Sequence, residues 1–224
     1  MSTVAQRLNN LKATLPDAGV KLVAVSKFHP VEALREAYEA GQRCFGESRV
    51  QELQVKQPLL PQDIEWHFIG HLQTNKVKYI VPFVSLIQSV DSPRLLDEIE
   101  RQAARIDRVI DCLLEVHVAQ EDTKYGFSPQ ACADFLQALP VAAYPHIRLR
   151  GIMGMASFTD DKEQVSREFA ELKQLFDALR GGVMSANEAF DTLSMGMSHD
   201  YVEAIANGST MVRVGTTIFG EREY

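Results

Sequence analysis

Lys27 ends an almost unbroken apolar run, Val20-Lys21-Leu22-Val23-Ala24-Val25-Ser26-Lys27, and a primary amine so placed can do carbonyl chemistry. The run is rich in β-branched residues and reads as a buried parallel strand over 20–27. Side chains alternate along a strand, so Val23, Val25 and Lys27 share one face while Leu22, Ala24 and Ser26 share the other. Active sites of parallel α/β folds gather at the carboxyl ends of the strands, where an amine partly stripped of water loses some preference for its charged form. Such a lysine attacks carbonyls and forms Schiff bases. The plainer alternative is a strand-end lysine whose head reaches solvent.

A second constellation lies near the carboxyl terminus. Leu193-Ser194-Met195-Gly196-Met197-Ser198-His199-Asp200 runs from a strand into a helix carrying Val202, Ile205 and Ala206, which Asn207-Gly208 ends. Unpaired backbone amides at a helix amino terminus hold phosphate, with Ser194 or Ser198 adding a hydroxyl. Simple capping by Ser198 or Asp200 is the rival explanation. The next strand exits into Gly215-Thr216-Thr217, a second small, hydroxyl-rich turn. Loops after strands seven and eight of a barrel are a frequent phosphate site. Met211, Arg213 and Gly215 share a face, which aims Arg213 up the barrel unless it pairs with a carboxylate.

These groups need a scaffold that brings them together. Val4, Leu8 and Leu11 mark an amphipathic helix ahead of the first strand. Pro30 to Gly41 reads as a helix with Val31, Leu34, Ala37 and Tyr38 on one face. Further strands are expected at 44–46, 66–69, 83–88, 109–118, 147–153, 191–194 and 211–214, with helical segments between them. Ser92-Pro93 and Ser128-Pro129 start two of those helices. Eight short strands alternating with helices argue for a (β/α)8 TIM barrel with an extra N-terminal helix, forming a single domain over 1–224. A doubly wound open sheet is the structural rival.

Closure decides the chemistry, because only a closed sheet makes the amine on strand one a neighbour of the phosphate cradle after strands seven and eight. The separation then suits a phosphorylated aldehyde. Pyridoxal phosphate carries both groups on one flat ring, and arginine is one known partner for its ring nitrogen. A phosphosugar aldolase using a lysine Schiff base fits equally at this point.

Composition narrows the alternatives. Thirty acidic against 23 basic residues give a net charge of -7, and no basic cluster awaits a phosphodiester backbone, so nucleic acid is not an expected partner. No apolar run approaches the roughly 20 residues of a membrane helix, and the first ten residues lack a signal-peptide core. A soluble, cytoplasmic protein is expected. Cys44, Cys112 and Cys132 are odd in number and far apart, which argues against disulfides or a zinc site. His67 and His71 are four apart, but Trp66-His67-Phe68-Ile69-Gly70 reads as a strand, where that spacing does not converge on one ion. No metal is expected.

The sequence resembles the pyridoxal phosphate homeostasis proteins, the YggS and PROSC type, similar in fold to the barrel domain of alanine racemase. The likeness spans nearly the whole chain. It rests on Leu22-Val23-Ala24-Val25-Ser26-Lys27, Phe45-Gly46-Glu47 with Val50-Gln51-Glu52, and Trp66-His67-Phe68-Ile69-Gly70 with Leu72-Gln73 and Asn75-Lys76. It continues through Leu149-Arg150-Gly151, Leu193-Ser194-Met195-Gly196-Met197-Ser198, and Val212-Arg213-Val214-Gly215 with Ile218-Phe219-Gly220. The resemblance implies that Lys27 holds the cofactor covalently, that Ser198, Gly215 and Thr216 contact its phosphate, and that Arg213 faces the pyridine nitrogen. Two positions depart from the family pattern. Ser48 stands where the family usually has an asparagine that would lie near the ring, and His117 replaces a strand-five asparagine; we read His117 as a core-edge residue.

The resemblance therefore implies a carrier that takes part in intracellular supply of the cofactor, exchanging it with apo-enzymes that use it. An amino-acid racemase is the alternative. Racemisation needs an electron-poor ring and an acid or base on each face of the α-carbon. Arg213 donates to the ring nitrogen without protonating it, and the sequence has no counterpart of the added domain that supplies a tyrosine base in alanine racemase. A monomer is expected. Lys76, Lys78 and Lys124 are rival imine sites, read as solvated surface lysines.

Overall fold

The computed structural model describes residues 2–16, 19–119 and 125–221, so Lys124 lies outside the described residues. Eight parallel strands close into a barrel in chain order: β1 (Lys21–Val25), β2 (Cys44–Glu47), β3 (Glu65–Phe68), β4 (Leu86–Val90), β5 (Ile110–His117), β6 (Ile147–Met155), β7 (Thr192–Ser194) and β8 (Met211–Val214). β1 lies between β2 and β8, with Val23 opposite Arg213 and Ala24 opposite both Phe45 and Val214. The doubly wound alternative is thereby excluded, since an open sheet would leave β1 and β8 apart. Among the described residues no helix is long and apolar enough to cross a membrane.

Helices α1 (Val4–Thr14), α2 (Val31–Glu39), α3 (Val50–Lys56), α4 (Pro93–Ala104), α5 (Pro129–Ala138), α6 (Lys162–Gly181), α7 (Tyr201–Ala206) and α8 (Thr216–Phe219) surround the strands. Local chemistry accounts for their starts. The Ser92 and Ser128 hydroxyls accept the Leu95 and Ala131 amides, with Pro93 and Pro129 in the first turn, and Thr3 forms a reciprocal capping box with Gln6. α4 turns Leu95, Leu96, Ile99 and Ala103 onto the strands, each large side chain contributing roughly 1.5–3 kcal/mol by burial. Val4, Leu8 and Leu11 bury the inner face of α1, and the Arg7 side chain donates to the Ile218 carbonyl, joining α1 to α8.

Two layers of core follow from the alternation of side chains. Leu22, Ala24, Phe45, Trp66, Phe68, Ile87, Cys112 and Leu114 face the helices, while Val23, Cys44, Leu86, Leu113, Met153 and Met211 fill the barrel interior. Several boundaries differ from expectation. β1 stops at Val25 rather than Lys27, because the Ser26 carbonyl turns back to accept the His29 amide. β4 occupies Leu86–Val90 rather than 83–88, since the Phe83 and Val84 amides bond back to Ile80 in a turn. β6 runs on to Met155.

Candidate functional site

A cavity of about 290 Å³ opens at the carboxyl ends of the strands. Val25 at the end of β1 with Lys27 just beyond it, Ile69 after β3, Met155 at the end of β6, Ser198 after β7, and Arg213, Gly215 and Thr216 at β8 all line it. Lys27, Ser198, Arg213, Gly215 and Thr216 are thus brought together. A larger groove of about 360 Å³ outside the barrel, beside Leu96, Tyr144 and Met184, is walled mainly by apolar side chains.

The amine side is built on a turn. Lys27 is half-buried and followed by Phe28, a bulky residue at φ 68°, a left-handed conformation uncommon for such a side chain. Beneath it Lys56 is buried, and its ammonium donates to the Ser26 carbonyl at 2.9 Å, Glu47 Oε1 at 2.8 Å and Glu52 Oε2 at 3.0 Å. Three donors on Lys56 meet three acceptors. Burial pushes the Glu47 carboxyl upward against the pull of Lys56, and its Oε2 has no hydrogen-bond partner among the described residues. Burial also opposes charge on Glu52, but the Phe28 amide and Lys56 outweigh it and hold that carboxyl below its usual range.

The opposite side is a nest of unsatisfied amides. The Gly215 amide donates to Ser198 Oγ at 3.1 Å, tying the loops after β7 and β8 together. Asp200 Oδ1 accepts the Met197 amide, whereas the Ser198, His199 and Thr216 amides donate to no described residue. Converging donors of this kind form an anion-binding concavity.

Arg213 is buried, yet no described carboxylate is in ion-pair contact with it. Its Nη1 donates to the Ser194 carbonyl at 2.9 Å and Ser194 Oγ at 2.7 Å, and Nη2 donates to the Gly154 carbonyl at 2.9 Å. Its Nε–H meets no described acceptor. Desolvation lowers its pKa to about 10, with the more distant Asp200 and Glu115 resisting. Arginine can only donate, so the sense of the chain behind it is fixed. Ser194 Oγ donates to Gln88 Oε1 at 2.7 Å, and the Gln88 amide nitrogen donates to His67 Nδ1 at 2.9 Å. The His67 proton therefore sits on Nε2, 3.4 Å from Cys44 Sγ. Burial drives His67 down to about 3, leaving it neutral, and Cys44 up to about 12.

That chain corrects one expectation: Ser194 holds Arg213 and does not line the cavity, because its hydroxyl points into the barrel below the mouth. Ser48 is likewise outside the lining; its main chain packs against Gly70, where a Cβ would fall 2.5 Å from the Ser48 carbonyl oxygen. His117 closes β5, its amide bonded to the Phe127 carbonyl. Ligand-type groups of Cys44, Glu65 and His67 lie within 4.8 Å of one another at the barrel base. Glu65 is paired with Lys21, and the His67 nitrogen facing Cys44 bears the proton, so this cluster lacks the lone pair a cation needs.

Lining residues that the sequence did not single out include His29, Met155, Phe158 and His199. His199 meets Phe158 edge-on with ring centroids 5.0 Å apart, and Phe158 is 79% exposed beside the mouth. Loop residues of this kind carry no periodic signal.

Residues 1–223 match the family model for the alanine racemase N-terminal domain. The pyridoxal phosphate homeostasis protein of Pasteurella multocida is 39% identical over 95% of this chain and 91% of its own. Its Aquifex aeolicus counterpart is 42% identical over 91% of this chain and 88% of its own. The chain belongs to the pyridoxal phosphate homeostasis protein family. Among solved structures, PipY of Synechococcus elongatus superposes with a TM-score of 0.89 without PLP, at 38% identity over 97% of this chain and all of that one. The same protein with PLP bound gives 0.87 at 36% identity over the same shares. Alanine racemase of Clostridium difficile shares the fold at a TM-score of 0.76 and 16% identity, covering 99% of this chain and 56% of that one.

Proposed function

We propose that this family member binds pyridoxal 5′-phosphate in the cavity at the carboxyl ends of the strands and takes part in its homeostasis, with little or no turnover of amino acids. The observation that carries the reading is the meeting, in one cavity, of Lys27, a buried arginine without a carboxylate partner, and the unengaged amides of Ser198, His199 and Thr216. When bound, the cofactor supplies an aldehyde, a pyridine nitrogen and a phosphate on one ring. Lys27 would hold the aldehyde carbon as a Schiff base. Arg213 Nε–H would face the ring nitrogen, and Ser198, Gly215 and Thr216 would hold the phosphate. PipY, similar over nearly its whole length, has been solved with PLP bound, which supports the same ligand here.

Borohydride reduction of the PLP-treated protein followed by peptide mapping tests the linkage. The reading expects one reduced adduct, on Lys27, and loss of the protein-bound absorbance band in Lys27→Ala. Lys76 and Lys78, which lie over the Tyr79 ring on an exposed turn, should stay unmodified. An adduct elsewhere, or none, overturns it. The shared fold with alanine racemases keeps a racemase as the second reading. Deuterium exchange into the α-position of alanine or serine at enzyme-like rates would favour it. We further read the protein as a cytoplasmic monomer that exchanges cofactor with apo-enzymes; light scattering of the purified chain at dimer mass would correct the monomer.

A further inference from the structure

We propose that Glu47, Glu52 and Lys56 are positioning residues that clamp the turn carrying Lys27 and so set how its amine meets an aldehyde; the proposal rests on the PLP reading of the cavity. The argument starts from the main chain on both sides of Lys27. The Ser26 amide donates to the Gly46 carbonyl at 3.0 Å, and the Ser26 carbonyl accepts both the His29 amide and the Lys56 ammonium. Ser26 Oγ donates to Glu47 Oε1 at 2.7 Å. Beyond the lysine, the Phe28 amide donates to Glu52 Oε2 at 2.8 Å. Each polar main-chain group named here has a partner, and three of these bonds end on the trio.

The trio is costly to keep, which argues for a use. Lys56 and Glu47 are almost fully buried, and a buried ion pair adds little net stability over apolar packing of the same shape. Glu52 spans the gap to Phe28, whose left-handed backbone is held in place from outside by that carboxylate. Fixing the main chain on both sides of Lys27 narrows the directions from which its amine can approach an aldehyde. The neutral form is the one that reacts. Its nitrogen bonds to the aldehyde carbon, and the carbonyl oxygen leaves as water with both amine hydrogens.

The test compares wild type, Glu52→Ala and Lys56→Met using pyridoxal 5′-phosphate and pyridoxine 5′-phosphate, which keeps the ring and phosphate but has no aldehyde. A misplaced amine predicts that both variants form the borohydride-trappable adduct about tenfold more slowly. Affinity for pyridoxine 5′-phosphate should stay at the wild-type level. A folded Glu52→Ala that traps at the wild-type rate overturns the clamp, as does an equal loss of pyridoxine 5′-phosphate binding. Glu52 is partly exposed, so this variant decides the matter if Lys56→Met does not fold. Wild type that gives no adduct at Lys27 overturns the reading of the cavity itself, and the clamp with it.

Discussion

At the level of single residues, the cavity floor depends on neutral partners around a buried cation. Ser194→Ala leaves Gln88 Oε1 and Arg213 Nη1 each short of a partner in a closed interior, and should cost about 1–3 kcal/mol in urea unfolding. Glu115, buried on β5 with Oε2 unpartnered, is pushed up to about 7 by burial and by Asp91, while Arg213 pulls the other way. Between its unfolded and folded values the native state holds a proton that the unfolded chain has lost, so this group favours folding at low pH and the benefit disappears as pH rises through about 7. Glu115→Gln should therefore be near neutral at pH 5 and stabilising by roughly 1–3 kcal/mol at pH 8, read from paired denaturation curves. Alternation along strands made Lys27 and Arg213 legible as mouth residues, and the small-residue run ahead of a helix did the same for Ser198. It misplaced Ser194, because β7 ends there and the chain must pass Gly196, at φ 98°, before reaching the rim. Glu52 and Lys56 were missed because a Glu and a Lys four apart on a polar helix look like a surface pair.

Among the elements, β6 and β7 run so close together at Gly151 that the main chain leaves no room for a side chain there. Gly151 sits at φ 148°, and a Cβ there would fall 1.8 Å from the Thr192 carbonyl oxygen. Gly151→Ala should lower stability by about 2–4 kcal/mol or prevent accumulation of folded protein, as measured by circular dichroism against denaturant. Nothing in the sequence around Leu149-Arg150-Gly151 reveals that demand, since a glycine in a strand pattern marks several kinds of irregularity. The starts of α4 and α5 were legible from Ser-Pro pairs because capping is a local interaction. Strand ends were less so. Where β1 stops and β4 starts is decided by turns whose hydrogen bonds hydrophobic patterning does not record.

For the molecule as a whole, a ligand that binds only the folded barrel must stabilise it. At 100 times its dissociation constant, pyridoxal 5′-phosphate should add about 2.7 kcal/mol and raise the unfolding temperature by roughly 5–11 °C, as measured by differential scanning calorimetry. Lys27→Ala should lose most of that shift while unfolding as cooperatively as wild type. Barrel closure was the inference that joined amine to anion nest, and it was legible only indirectly, from the count and spacing of strands. The ring of β1 to β8 has a further consequence. Every strand has neighbours on both flanks, so the native sheet offers no rim onto which a strand from another molecule can zip, and ordered self-association through the sheet must wait until the hoop is broken.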